Sequence, residues 1–300
     1  MKGKFTISLD CEGKWGVADH LRKYGHKITQ ASLSEVYGWI FELLESYSIR
    51  ASFAFTSLFA CPEEIILDFR SDFKGLLEGG DSWYSSIHEM VENRATDGWV
   101  GHSFMRAAVA GGHEVCWHGF SHRTLGADCP RDSLRFELES GQKVSRQLNL
   151  EFSGIVFPRN EVGNLCELEK LGLRYFRESK ENVSPWYRSR ILRSLAEFNI
   201  LSRAQENNLK DDSGMRRIPA GEFLNWPYGA RAKIPDSVTV KRWRRILDDA
   251  ELHGRCAHIW LHPHNLITAP RMRNTFSEVL RMASCRIRDD ALVNATMSEL

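Results

Sequence analysis

Val115-Cys-Trp-His118-Gly-Phe-Ser-His122 runs from a short apolar stretch straight into two histidines separated by three residues. A second segment has the same form. Phe5-Thr-Ile-Ser-Leu9 is apolar and alternating, and it empties into Asp10-Cys-Glu12, two carboxylates with one residue between them. Each apolar stretch reads as a strand, so both polar sets fall at strand ends, where α/β folds gather their chemistry. Two imidazoles and one carboxylate, with positions left for water, form the ligand set of a hydrolytic zinc site or a related metal site. The second carboxylate is then free to take a proton from that water.

The rest of the chain extends this pattern. A helix is expected from about Ser32 to Tyr47, with Val36, Ile40, Leu43 and Leu44 at helical spacing and a Ser32/Glu35 capping box. Further strands are expected at Ala51–Phe55, Gly154–Phe157, Arg174–Arg177, around Arg217-Ile-Pro219 and at His258–Leu261. Helices are expected near 104–109, 130–148, 165–171, 241–252 and 276–282. Strands alternating with helices imply βαβ units and a parallel sheet. Without a dinucleotide fingerprint, the expectation is an α/β chain forming an irregular (β/α) barrel of about seven parallel strands. The expected organisation is one barrel over residues 1–300, with an excursion at about 61–101 that covers one side of a site.

Arg159-Asn160 and His262-Pro-His264 also follow strands, so a barrel brings them to the same face as Asp10, Glu12, His118 and His122. The net charge of +1 gives no electrostatic case for nucleic acid or an anionic membrane. The basic run Lys241-Arg-Trp-Arg-Arg245 reads as a solvated helix face. No apolar stretch reaches the length of a membrane span, and Met1-Lys-Gly-Lys lacks the apolar core of a signal peptide. The seven cysteines are scattered without C-x-x-C spacing, which suits reduced thiols and a cytoplasmic protein. Oligomeric state is not legible.

Leu9-Asp10-Cys-Glu12, Gly112 through His122 and Trp260-Leu-His262-Pro, taken in order, resemble the polysaccharide deacetylase family. This is the NodB-homology group, or carbohydrate esterase family four, in its branch with one residue between the two acids. The likeness covers nearly the whole chain, and His-Gly-Phe-Ser-His is its most specific part. It implies an irregular (β/α) barrel and metal-dependent removal of an acyl group from an N-acylated sugar. By resemblance, Asp10 is the base, Glu12, His118 and His122 hold one divalent ion, most simply Zn2+, and His262 is the general acid. The chain departs from the pattern at Cys11, which stands where many members have an aspartate. It departs again at Phe157-Pro-Arg159-Asn160, where the order of the third motif is changed. Arg159, Asn160 and His264 are further catalytic or substrate-binding candidates. Trp186 and Trp226 are candidates for the tryptophan of the fourth motif.

An acetyl or formyl group on a sugar nucleotide, or on a lipid-linked precursor of a surface glycan such as lipopolysaccharide, is the expected substrate. Trp15, Trp117, Phe120 and Trp260 are aromatics available for a sugar ring, with core packing as the alternative for each. Two other readings fit the same residues. An amidohydrolase-type barrel would use His262-x-His264 as its metal pair. A barrel without turnover would keep the fold and bind a glycan.

Overall fold

The computed structural model describes residues 2–180, 198–199, 202–206 and 214–300. Trp186 lies outside them. Nine strands form one sheet: β1 Gly3–Cys11, β2 Ser52–Phe55, β3 Glu114–Trp117, β4 Gly154–Val156, β5 Tyr175–Arg177, β6 Arg216–Ile218, β7 Glu222–Phe223, β8 Cys256–Leu261 and β9 Leu292–Asn294. The order is β6-β5-β4-β3-β2-β1-β8-β7, with β9 also against β1, and every paired neighbour is parallel.

That order curls the sheet. β6 and β7 end the path on opposite sides, yet only Pro219-Ala-Gly221 separates them in sequence. Three residues reach about 10 Å, so the two edges must come round to meet. Gly221 sits at this seam with φ +69, and a Cβ there would stand 2.8 Å from the His258 carbonyl oxygen. β7 and β9, two and three residues long, are additions to the seven strands expected. Both are too short to carry a period of their own.

β1 is buried along almost its whole length, as expected for a parallel strand covered on both sides. It lies between β2 and β8, so Asp10 pairs with Ala54, and Leu9 with Leu261 just before His262. Helices pack outside. Gln30–Ser46 buries Leu33, Val36, Tyr37, Ile40 and Leu44. Its capping box is Thr29 with Ser32, one turn earlier than Ser32/Glu35, because the Thr29 hydroxyl accepts from the Ser32 amide. The excursion is helical: Glu63–Asp68, Arg70–Glu78 and Ser85–Asn93. In the helix Asp236–His253 the basic run exposes Lys241, Arg244 and Arg245, as a solvated face should, and departs from that reading at Arg242 alone. Arg242 is 1% exposed and turns inward to Glu222, to the Phe223 carbonyl and to Asn225, while Trp243 is fully buried.

Candidate active site

Glu12 lies at the end of β1, 2% exposed, with its carboxylate enclosed by four imidazoles. Its Oε2 stands 3.0 Å from His118 Nε2 and 2.6 Å from His122 Nε2. Its Oε1 stands 3.5 Å from His262 Nε2 and 3.7 Å from His264 Nδ1. The turn after β1 closes over this carboxylate at Gly16, where a Cβ would collide with the Glu12 side chain.

β3 delivers His118, whose Nδ1 donates to the Val156 carbonyl at 2.7 Å. That bond fixes the tautomer and leaves the Nε2 lone pair facing Glu12, the usual outer support of a metal-binding histidine. His122 reaches the same carboxylate from a left-handed backbone conformation, φ 64. Its buried Nδ1 has no hydrogen-bond partner among the described residues. The donor set of Glu12, His118 and His122 therefore fits a divalent cation.

Burial works against a charge on Glu12, but His122 and His262 beside it hold its carboxyl well below the usual carboxylate range. Burial alone would lower the pKa of His118; its bond to Glu12 and the charge of Asp10 raise it instead. For His122 burial prevails, and its pKa is lowered.

Asp10 points to the same face and is gripped by Arg177 from β5. The guanidinium donates to both carboxylate oxygens, at 2.7 and 2.8 Å, and also to Ser8 Oγ and Asn160 Oδ1. Burial opposes the Asp10 charge, and Arg177 more than offsets it, so the pKa is lowered. Arg177 was not singled out by sequence. It closes the strand expected at 174–177, so the strand-end rule that picked out the other residues applies to it too. Behind Arg177, Ser8 Oγ lies 2.8 Å from His258 Nε2, while His258 Nδ1 donates to the Pro219 carbonyl. Burial, with Arg177 nearby, pushes His258 down to about 3 and keeps that ring neutral.

Arg159 points away from Asp10. It pairs with Asp19 at 2.7 Å and lies over the Trp83 ring, 5.1 Å from its centroid. Asn160 touches the site through Arg177. His262 is the most open member, 26% exposed, with Nδ1 held by Asn265 Oδ1 at 3.0 Å and Nε2 3.9 Å from Asp10. His264 is 6% exposed, and burial pushes it down to about 4.

Two more residues escaped the sequence reading. Glu137, from the helix Arg131–Gln147, is fully buried and accepts from the Phe120 and Ser121 amides, the Ser121 hydroxyl and Tyr84 Oη. It thereby clamps the loop between His118 and His122. Trp83, from the excursion, lies beside His122 with its ring tilted by 31° and centroids 6.3 Å apart. Arg123 and Arg159 both lie over its ring, and the three line a cleft of about 870 Å3 with Asp19, Asp81 and Ser133. Trp15 and Phe120 are fully buried and Trp117 nearly so, which leaves them to the core.

No family model matches the sequence, and no curated protein does. Solved structures do match. A Mycobacterium smegmatis protein classed as a polysaccharide deacetylase aligns with a TM-score of 0.60 at 13% identity, over 99% of this chain and 88% of its own. A Pseudomonas aeruginosa protein classed in the same way gives 0.56 at 11%, over 98% and 88%. The allantoinase PuuE gives 0.54 at 11%, over 98% and 87%. The chain has the fold these proteins share, a (β/α) barrel that serves more than one hydrolytic chemistry.

Proposed function

We propose that the protein is a metal-dependent hydrolase that removes an acyl group, acetyl or formyl, from an N-acylated sugar. The observation that carries this reading is the buried Glu12–His118–His122 cluster beside an Asp10 held ionised by Arg177. When bound at that cluster, a divalent ion such as Zn2+ lowers the pKa of water toward roughly 7 and polarises a carbonyl. Asp10 is the base that accepts the proton, with its carboxylate aimed by the Arg177 fork. His262, on the opposite and more open side, protonates the leaving nitrogen, which departs poorly as an anion. The cleft walled by Trp83 takes the sugar, and Arg123 and Arg159, which lie over the Trp83 ring, donate to its hydroxyls or to a neighbouring phosphate. A sugar nucleotide or lipid-linked glycan precursor, met in the cytoplasm, suits that cleft.

The test joins metal and turnover. Chelator-stripped protein should take up one tight zinc equivalent and release acetate or formate from N-acylated amino sugars. The His118→Ala, His122→Ala double variant should lose that equivalent, and retention would overturn the ligand set. Asp10→Asn should abolish turnover with the metal in place. His262→Ala should cost on the order of 10² to 10⁴ in rate on the amide and far less on an activated ester, whose leaving group needs no proton. The reverse pattern in His264→Ala would move the acid to His264.

A further inference from the structure

Glu12 presents one oxygen to each of two histidine pairs. Oε2 faces His118 and His122, while Oε1 faces His262 and His264. Each trio has its ligand atoms within 4.8 Å of one another. A carboxylate divided in this way between two donor pairs is the arrangement by which proteins bridge two cations about 3.5–4 Å apart. From Glu12 Oε1, His262 Nε2 and His264 Nδ1, we infer a second divalent-cation site, one that suppresses turnover when filled. The inference rests on the functional reading above.

Two observations point to a cation rather than to a hydrogen-bonded cluster. His264 is 94% buried, and its Nδ1 is aimed at Glu12 yet has no hydrogen-bond partner among the described residues. Asn265 Oδ1 accepts from His262 Nδ1–H at 3.0 Å, which leaves the Nε2 lone pair directed at Glu12. This matches the way the Val156 carbonyl orients His118 in the first trio. Asp10 lies 3.9 Å from His262 Nε2, and its charge offsets part of the repulsion between two cations. Arg177 already donates to both oxygens of that carboxylate, so Asp10 lends only part of its charge and the second site is the weaker of the two.

The regulatory consequence follows from proton count. To act as an acid, His262 must carry a proton on Nε2. A cation bound there displaces that proton to solvent and occupies the lone pair. A protein with one cation retains its acid, and a protein with two has lost it. Excess zinc would therefore inhibit reversibly by direct occupation of the proton donor.

Zinc binding by equilibrium dialysis with elemental analysis, paired with acyl release, tests this. The wild-type protein should bind a tight equivalent and then a weaker second one, with turnover falling as the second fills and recovering when a mild chelator removes it. His264→Ala and the better-packed His264→Gln should each stop at one equivalent. The His118→Ala, His122→Ala variant should keep one, on the weaker site. Saturation of the wild type at one equivalent that only this double variant removes would overturn the second site and leave the functional reading standing. A second equivalent that persists in both His264 variants would also overturn it. A lone equivalent removed by His264→Ala but not by the double variant would overturn both, as would no binding at all.

Discussion

A carboxylate buried as deeply as Asp10 would ordinarily take up a proton, since removing its charge from water costs several kcal/mol. The Arg177 fork prevents this and also fixes the direction of the oxygens. Lysine carries the charge without the fork. Arg177→Lys should therefore leave zinc content unchanged while kcat falls on the order of 10²-fold, the typical cost of a misplaced reacting group, with little change in KM. An unchanged kcat would show that charge alone suffices. Asp10, Glu12, His118, His122 and His262, which the structure brings together, were legible as candidates because each lies within a few positions of a strand end. Arg177 was the omission. Its partner is 167 residues away, and only the curl of the sheet brings β5 opposite β1. Arg159, the nearer candidate in sequence, is drawn off by Asp19.

Among the elements, the helix Arg131–Gln147 supports the site from behind the loop between His118 and His122. Its Glu137 gathers two amides and two hydroxyls from the His118–His122 loop and the excursion. Burial raises its pKa to about 7 even though every one of these bonds favours the charged form. Glu137→Ala would strand those donors, at about 1–3 kcal/mol for each buried group left unpaired. Urea denaturation should show a loss of at least ~2 kcal/mol, and zinc affinity should weaken because the loop that places His122 loosens. Unaltered zinc affinity in a destabilised protein would confine Glu137 to folding. A polar helix with one inward glutamate reads in sequence as a surface helix, since periodicity locates a face but not the loop packed on it. Trp83 was hidden for a different reason: it sits on the three-residue turn Ser82–Tyr84 between two helices, too short to carry a period of its own.

On the scale of the whole molecule, neutral buried histidines link stability to acidity. His258 is depressed to about 3 from an ordinary value near 6.5, so the fold is favoured by its uncharged form. That contribution is complete above about pH 6.5 and is lost as pH falls toward 3, because the unfolded chain binds the proton first. Denaturant midpoints should therefore decline from pH 7 to pH 4, and His258→Gln, starting from a lower value, should show a shallower decline. A slope unchanged by the substitution would assign the acid sensitivity to other groups. The barrel class was legible from strand–helix alternation, whereas the approach of β6 and β7 at Pro219–Gly221 depends on strand order, which no local pattern encodes. That order has a consequence for synthesis on the ribosome. β1 is made well before two of its partners, β8 and β9, which are drawn from residues 256–294. β1 must wait until those residues have emerged, with one edge unpaired until then. Nascent chains halted before β8 should stay protease-sensitive and engage chaperones, and emergence of β8 and β9 should protect the sheet in one step.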